Sequence, residues 1–283
     1  MSPTHLIIGC GYLGRVVAER WLAAGHRVAA LTRGRADELQ SLGVEPIVGD
    51  VTEAATLHLP PVTTVLYAVG LDRSAGRPMR DVYVGGLTNV LAALPRPAHV
   101  LYVSSTSVYG QTDGSLVDES SPTEPMEENG QIVLECERLL RETLPSAIVL
   151  RFAGIYGPGR VIRRAAIEAG EPLASDPDHW LNLIHVADGA RAVAAATDRG
   201  ALGATYNVAD DTPVRRGDFY TAMAELLAAP PARFVPPPPG AAAPPHERAN
   251  RRVSNRRLRA ELGIELLYPD YRAGLRQAVG PIF

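Results

Sequence analysis

The stretch His5-Leu6-Ile7-Ile8-Gly9-Cys10-Gly11-Tyr12-Leu13-Gly14 decides the fold. The apolar run His5–Ile8 reads as a buried strand. It ends in a glycine turn of the form G-x-G-x-x-G, and Val16–Ala24 behind it has helical character up to Gly25. Alone, the six-residue string says little. Between a strand and a helix it has a mechanism. The first glycine permits a tight turn, the second lets backbone approach a pyrophosphate, and the third lets the helix pack closely on the strand. The helix N-terminus then presents free N–H groups and a partial positive charge to the phosphates. Gly9, Cys10, Gly11, Tyr12, Leu13 and Gly14 are therefore the first candidate cofactor contacts.

Working outward, Arg27–Leu31, Pro46–Val48, Thr64–Ala68, Val100–Ser104 and Ala147–Phe152 read as strands, with helical segments at Arg80–Leu94 and Gln131–Leu144. Alternating strands and helices imply right-handed crossovers. The expected fold class is α/β, a Rossmann-type doubly wound parallel sheet with a small C-terminal substrate subdomain. The regularity weakens after Arg151, where Val186–Ala196, Phe219–Ala228, Arg256–Leu262 and Tyr271–Val279 still read as helices and Thr205–Val208 as a strand. Pro230 to Pro245, with four consecutive prolines at Pro236–Pro239, reads as a loop. The expected division is a dinucleotide-binding domain over 1–152, to which 183–208 returns, and a substrate subdomain from 153–182 and 209–283.

Composition narrows the function. All 28 basic residues among the 283 are arginine, and lysine is absent. Schiff-base chemistry and the phosphate-loop lysine are thereby excluded. A net charge of −3 argues against general nucleic-acid affinity. Two cysteines, Cys10 and Cys136, make no disulfide framework and fit a reducing compartment. No apolar run reaches the ~18 residues of a membrane span. The start runs straight into a strand-like segment with no visible cleavable signal, so a cytoplasmic location is expected. No His, Cys or Asp cluster has metal-ligand spacing, so no metal is expected.

Cofactor preference is read at the end of the second strand. An NAD-preferring site carries a carboxylate there for the ribose 2′-OH. This chain has Leu31-Thr32-Arg33-Gly34-Arg35 instead, and its nearest carboxylate, Asp37, comes later. A guanidinium can hold a 2′-phosphate. NADP(H) is therefore expected over NAD(H), with Arg33 as the main contact and Thr32 assisting; the alternative is that the arginines are solvated surface residues. Asp50, after the third strand, either accepts from the adenine amino group or caps the next segment.

With these residues in view, the chain resembles an extended short-chain dehydrogenase/reductase of the NAD-dependent epimerase/dehydratase family, and most of all an atypical, YeeZ-like branch. Val103-Ser104-Ser105-Thr106-Ser107-Val108-Tyr109-Gly110 is similar to the family's fifth-strand motif, and Leu150-Arg151-Phe152-Ala153-Gly154-Ile155-Tyr156-Gly157-Pro158-Gly159 to its sixth. Leu183 to Asp188, Tyr206-Asn207-Val208, and Asn255 onward to Leu275 match later signatures. The resemblance implies further cofactor contacts at Val51, Ala68, Val69, Gly70, Ser104, Phe152 and Ala153. It implies that Ser105 hydrogen-bonds the reacting carbonyl or hydroxyl. It also implies a homodimer through Arg80–Leu94 and Gln131–Leu144.

The resemblance breaks at the proton-transfer pair. The family's Tyr-Gly-x-Ser-Lys-x-x-x-Glu maps onto Asn129-Gly130-Gln131-Ile132-Val133-Leu134-Glu135-Cys136-Glu137, so the tyrosine is Asn129 and the lysine Val133. Tyr83 stands where an asparagine partner is common. A tyrosine needs a nearby cation to act as a base at neutral pH, and asparagine transfers no proton. The substitutes weighed are Tyr109, Glu127, Glu128 and His179; each has a plain alternative as a pocket wall or loop charge. Tyr109 is taken with Ser105 as the catalytic pair. His185 and Cys10 read as packing residues.

Arg160, Arg163 and Arg164, and then Arg248, Arg251 and Arg252, suit a small, anionic substrate or are solvated faces. Three functions compete. The first is an NADP(H)-dependent oxidoreductase acting on a carbonyl or hydroxyl substrate with a non-standard proton donor. The second is a non-catalytic NADP(H)-binding sensor or regulatory protein. The third is a remodelled nucleotide-sugar epimerase or dehydratase.

Overall fold

The computed structural model describes residues 4–95, 99–235 and 245–280. Seven strands form one sheet: β1 (Thr4–Ile8), β2 (Arg27–Thr32), β3 (Glu45–Val48), β4 (Thr64–Tyr67), β5 (His99–Ser105), β6 (Ile148–Phe152) and β7 (Thr205–Val208). Their order is β7-β6-β5-β4-β1-β2-β3, and every pairing is parallel. The chain leaves β1 toward β2 and β3 and returns to the other side of β1 for β4. The switch point therefore lies between β1 and β4, where Ile8 sits opposite both Leu31 and Tyr67.

Ten helices accompany the sheet among the described residues: α1 (Tyr12–Ala23), α2 (Ala36–Ser41), α3 (Gly86–Ala93), α4 (Glu128–Thr143), α5 (Arg164–Glu168), α6 (Val186–Arg199), α7 (Arg216–Leu226), α8 (Pro245–Arg248), α9 (Arg256–Leu262) and α10 (Tyr271–Val279). Successive strand residues serve opposite faces. Ile7, Leu66, Leu101 and Leu150 pack with Leu13 and Val17 of α1 and with Val193 and Ala196 of α6. Leu6, Ile8, Val65, Tyr67, Val100, Tyr102 and Val149 pack with Leu87 and Val90 of α3 and with Cys136 and Leu140 of α4. Covering both faces explains why the strands are apolar throughout rather than alternating.

A third core belongs to the later residues. Tyr156, Ile167, Leu173, Phe219, Met223, Tyr271 and Leu275 are buried together. The later segment is not all one lobe, however. Leu258 and Leu262 of α9 are buried in the sheet's own core beside α6.

Two local details differ from the reading of periodicity. The expected helix Arg80–Leu94 begins as a π-type turn, Asp81–Gly85, before α3. The wider turn accompanies a close approach, since a Cβ on Gly86 would lie 2.8 Å from Val51 Cγ2. In the proline-rich stretch, the Leu173 N–H donates to the Arg233 carbonyl at 2.8 Å and the Val235 N–H to the Leu173 carbonyl at 3.0 Å, so its start is pinned to the small core. Pro236–Pro239 lie outside the described residues. Among the described residues no helix is long and apolar enough to cross a membrane.

Candidate active site

Parallel strands bring their carboxyl ends to one edge. The turn after β1, Arg33 after β2, Gly49-Asp50 after β3, Ala68–Gly70 after β4, Ser105 ending β5 and Ala153 after β6 all lie there. Ligands of open α/β sheets bind along this edge, at the switch point.

The glycine turn is shaped by contacts on two sides and by space on a third. Gly9 has φ +95°, and a Cβ on it would stand 2.5 Å from the Ala68 carbonyl oxygen. A Cβ on Gly14 would meet the Gly9 carbonyl oxygen at 2.8 Å and Ile7 Cγ2 at 3.3 Å. Beside Gly11 nothing lies within 4 Å. Gly9 and Gly14 are thus required by protein packing, while Gly11 is open toward a ligand. Gly11 is also the N-cap of α1, with no side-chain cap and no acid in the first turn. The first N–H groups of α1 are therefore unclaimed by a side chain, which suits an anion. Leu13 and Cys10 belong to the core. Burial pushes the Cys10 thiol up to about 11, so it packs as a neutral thiol. The Tyr12 hydroxyl donates to the Pro158 carbonyl at 3.0 Å and ties the glycine turn to the 157–160 turn.

Around the β2 and β3 ends, charges are already arranged. Thr32 is buried, and its Oγ1 accepts from the Arg35 N–H at 3.0 Å. Arg33 is exposed and pairs with Asp72 at 2.7 Å, while an Arg35 guanidinium N–H donates to the Cys10 carbonyl at 3.3 Å. Asp50 Oδ1 accepts from the Thr52 N–H at 2.9 Å and from its hydroxyl at 2.8 Å. Burial raises the Asp50 pKa, but these bonds, with Arg77 and Arg33, outweigh it and hold the carboxyl below its ordinary value. Asp50 therefore caps its own turn, whatever else it contacts. Val51 is buried against Gly86, Val69 packs on the α3–α4 side of the sheet, and Gly70 is exposed with open space beside it.

On β5 the two adjacent serines differ. Ser105 is half-buried, and its Oγ accepts from the Ser107 N–H at 3.1 Å. Ser104 is buried, and its hydroxyl donates to Glu137 Oε1 at 2.5 Å. Glu137 is held by Arg151 through two bonds of 3.0 and 2.7 Å. Arg151 also donates to the Tyr109 hydroxyl at 3.0 Å, and that hydroxyl donates to Asn207 Oδ1 at 2.9 Å.

This network corrects the expectation for Tyr109. Its side chain is 1% exposed, its hydroxyl is saturated from both sides, and burial raises its pKa despite Arg151. It is built as a core residue rather than a proton donor at a cleft. The Ser104 side chain is likewise committed to Glu137, and Phe152 packs its ring against Gly189 and so lies between sheet and α6. Ala153 is buried beside Val133, Val108 and Tyr109.

The two residues that the sequence reading aligns with the family's proton-transfer pair, Asn129 and Val133, have different surroundings. Asn129 is exposed in the first turn of α4. Val133 is 5% exposed in an apolar cluster with Tyr109, Val117, Ala153 and Val253. Gly130 is explained by packing, because a Cβ would stand 2.5 Å from the Ser107 carbonyl oxygen. Glu127 is the N-cap of α4, Glu128 is exposed, and both His179 nitrogens are engaged, Nδ1 by the Glu247 carbonyl at 3.1 Å and Nε2 by Asp176 at 3.3 Å. His185 is buried, its Nδ1 accepting from the Ala187 N–H and its Nε2 meeting Gln277 Oε1 at 2.8 Å. Burial lowers its pKa, in keeping with a packing residue.

The buried chain Ser104–Glu137–Arg151–Tyr109–Asn207 was not anticipated. Its signal was present as charge in apolar runs: Arg151 inside Ile148–Phe152, and Glu137 on the inner face of α4. Among the described residues no group of three or more His, Cys, Asp or Glu could hold a metal ion.

Residues 5–209 match the model of the NAD dependent epimerase/dehydratase family. Protein YeeZ of Escherichia coli is 26% identical over 273 residues, covering 93% of this chain and 96% of that protein. A solved structure of a putative NAD-dependent epimerase/dehydratase from Methylobacillus flagellatus is 33% identical with a TM-score of 0.77, covering 97% of this chain and 96% of the other. The UDP-glucose 4-epimerase of Thermus thermophilus, solved in complex with NAD, superposes with a TM-score of 0.78 over 97% of both chains at 21% identity, a likeness of fold.

Proposed function

The chain belongs to the NAD-dependent epimerase/dehydratase family, and from that premise we propose that it is an NADP(H)-dependent oxidoreductase acting on a small anionic carbonyl or hydroxyl compound. The observation that carries this reading is the glycine turn, closed at Gly9 and Gly14 and open at Gly11. That space suits a pyrophosphate held by backbone N–H groups. Arg33 supports the 2′-phosphate assignment. Its pair with Asp72 is exposed and screened by solvent, so a phosphate can displace the carboxylate. Asp50, Val51, Ala68, Val69 and Gly70 border the adenosine side in this reading, with Thr32 bonding through its hydroxyl hydrogen.

A bound nicotinamide supplies hydride transfer. The chain's own part is to place the substrate oxygen at Ser105 Oγ and to keep the site's shape through the Arg151 network. With Asn129 and Val133 in the family's pair, the proton comes by way of water or a substrate group at Ser105. A homodimer through the outer faces of α3 and α4, and a cytoplasmic location, belong to the same proposal.

Fluorescence titration with NADPH and NADH tests the cofactor. Arg33→Ala is expected to weaken NADPH binding about ten-fold or more while leaving NADH nearly unchanged, as loss of a charge-assisted bond of ~1.5–3 kcal/mol predicts. Equal losses would refute the 2′-phosphate role. Turnover of a carbonyl substrate that survives Ser105→Ala would refute the serine's role. A second reading, a cofactor-binding sensor without turnover, is favoured by one observation: Val133 sits in an apolar cluster where the family carries a cation. Tight NADPH binding without oxidation across a carbonyl panel would select it.

A further inference from the structure

α1 joins two edges of the sheet. It starts at the glycine turn and runs for 12 residues, about 18 Å at ~1.5 Å each, so its last turn lies at the edge opposite the carboxyl ends of the strands. α6 ends at that same edge, because Arg199 leads through residues 200–204 into the start of β7. α9, packed against α6, closes there in Gly263. Between these three ends lies a cleft of about 470 Å³, the size of a small-ligand site.

The lining is part apolar and part charged. Trp21, Ala195 and Ile264 are buried, and they share the cleft with Arg20, Arg191 and Arg199 and with Asp198 and Glu265. The charges do not pair with one another. Arg20, Asp198 and Glu265 are exposed and make no hydrogen bond or ion pair among the described residues. Arg199 commits only its Nε, which donates to the Leu262 carbonyl at 2.9 Å.

Arg191 is the informative member. It is half-buried, and its Nε has no hydrogen-bond partner. The carboxylate within its reach, Asp188 at 3.8 Å, has both oxygens taken by the Leu267 and Tyr268 N–H groups, each at 2.8 Å. Trp21 is 3% exposed, and its Nε1 is also without a partner. A cation in the last turn of a helix is favoured by the helix dipole, which accounts for Arg20 and Arg199 without any ligand. Arg191 lies in the middle of α6, where that effect has faded. Buried N–H groups in folded proteins are nearly always paired. Two unpaired ones on residues of a single cleft mark a place where something outside the chain completes the bonding.

The two signs of charge define the ligand. Guanidinium forks match phosphate oxygens in pairs. A phosphomonoester is close to a dianion at neutral pH and presents three such oxygens. Carboxylates only accept, so Asp198 and Glu265 call for hydroxyl or amino donors on the same molecule. Inorganic phosphate leaves those carboxylates facing an anion. An uncharged nucleoside leaves the arginines unanswered.

We infer that this cleft is a second binding site, one that takes a phosphomonoester bearing hydroxyl or amino groups, with its phosphate on Arg20, Arg191 and Arg199 and its donors toward Asp198 and Glu265. A sugar phosphate and a nucleoside monophosphate share this chemistry. The site lies at the far edge from the glycine turn, so it stands or falls apart from the oxidoreductase reading.

The full chain is titrated in a calorimeter with ribose 5-phosphate, AMP, adenosine and inorganic phosphate, each with and without saturating NADP+. The expected result is saturable binding of at least one ester that persists with NADP+ present. That binding should be about ten- to hundred-fold tighter than for adenosine or inorganic phosphate, as charge-assisted hydrogen bonds predict. Ribose 5-phosphate ahead of AMP identifies a sugar phosphate site, and the reverse order a nucleotide site.

Arg20→Gln and Arg191→Gln should each weaken the ester about ten-fold or more. Asp198→Asn should weaken the ester and leave inorganic phosphate no weaker. Arg138→Gln, on the exposed side of α4 across the sheet, should match the wild type. Because Arg20 is exposed and unpartnered, Arg20→Gln should keep the wild-type melting temperature, and it decides alone if Arg191→Gln does not fold. Four results would overturn the inference: neither ester binds; adenosine or inorganic phosphate binds as tightly as the esters; NADP+ abolishes ester binding; or Arg20→Gln leaves ester binding undiminished.

Discussion

Removing Arg151 should be among the most damaging single changes to this protein's stability. Arg151 is 7% exposed and Glu137 5%. Two bonds join them, at 3.0 and 2.7 Å, with Ser104 and Tyr109 completing their hydrogen bonding. Burial lowers the Arg151 pKa, but Glu137 outweighs it and drives the value above its ordinary level, so the guanidinium stays charged. Arg151→Met keeps most of the volume and strands the Glu137 charge in the core. Stranding one partner of a buried pair costs ~3–5 kcal/mol. At ~2–4 °C per kcal/mol for a chain of somewhat smaller size, the melting temperature should drop by roughly 6–20 °C.

Glu137→Leu should cost a similar amount by stranding the guanidinium. The double variant Arg151→Met/Glu137→Leu strands no charge. Its remaining penalty is the orphaned Ser104 hydroxyl, ~1–3 kcal/mol. If the two single losses were independent they would sum to ~6–10 kcal/mol. Denaturant unfolding, monitored by circular dichroism and tryptophan fluorescence together, measures all three variants. A double variant as unstable as the sum of the singles would refute the claim that the pair acts as one buried unit. So would an Arg151→Met loss below ~1 kcal/mol, the range of a solvent-screened pair.

Two further predictions concern the glycine turn and a buried acid. Gly14→Ala places a Cβ 2.8 Å from the Gly9 carbonyl oxygen and should cost about 1–3 kcal/mol, whereas Gly11→Ala meets nothing within 4 Å and should shift stability by less than ~1 kcal/mol while weakening NADPH at least ~ten-fold. Unchanged NADPH affinity in Gly11→Ala would remove the turn from the cofactor site. Asp210 is 2% exposed, with one carboxyl oxygen lacking a partner, and burial raises its pKa, helped by Asp211, Asp270 and Asp188 and opposed by the Thr212 N–H. Because the folded value lies above the unfolded one, its contribution is present below ~pH 4 and is lost as pH rises through the folded pKa. Asp210→Asn should therefore stabilise the chain by about 1–3 kcal/mol at pH 7 and show a vanishing advantage at pH 4 and below in thermal melts. An advantage that does not change with pH would refute the assignment.

Where local pattern and tertiary environment agree, the residues could be read directly. β1, the glycine turn and α1 are contiguous, so Gly9, Gly11 and Gly14 carried their meaning in their spacing. The apolar strands announced a sheet covered on both faces. Tyr109 shows the limit. It stands four residues beyond Ser105, and that spacing allowed a place at the cleft; Arg151 and Asn207, from β6 and β7, claim its hydroxyl in the core. Arg33 was read without Asp72, because the two are 39 positions apart and meet only when β2 and β4 are brought to one edge. Arg251 was one of six arginines until the fold buried its Nε without a hydrogen-bond partner.

The sequence by itself determined the fold class, the place of the glycine turn between β1 and α1, and the presence of Asn129 and Val133 where the resemblance implies a tyrosine and a lysine, because each depends on residue type and short-range order. The tertiary structure decided which polar groups are already satisfied. That depends on distant segments meeting in a medium where an unpaired group is costly, and no periodicity in the chain encodes who meets whom. Ser105 half-open, Tyr109 closed and the Arg251 Nε buried without a hydrogen-bond partner are outcomes of that meeting.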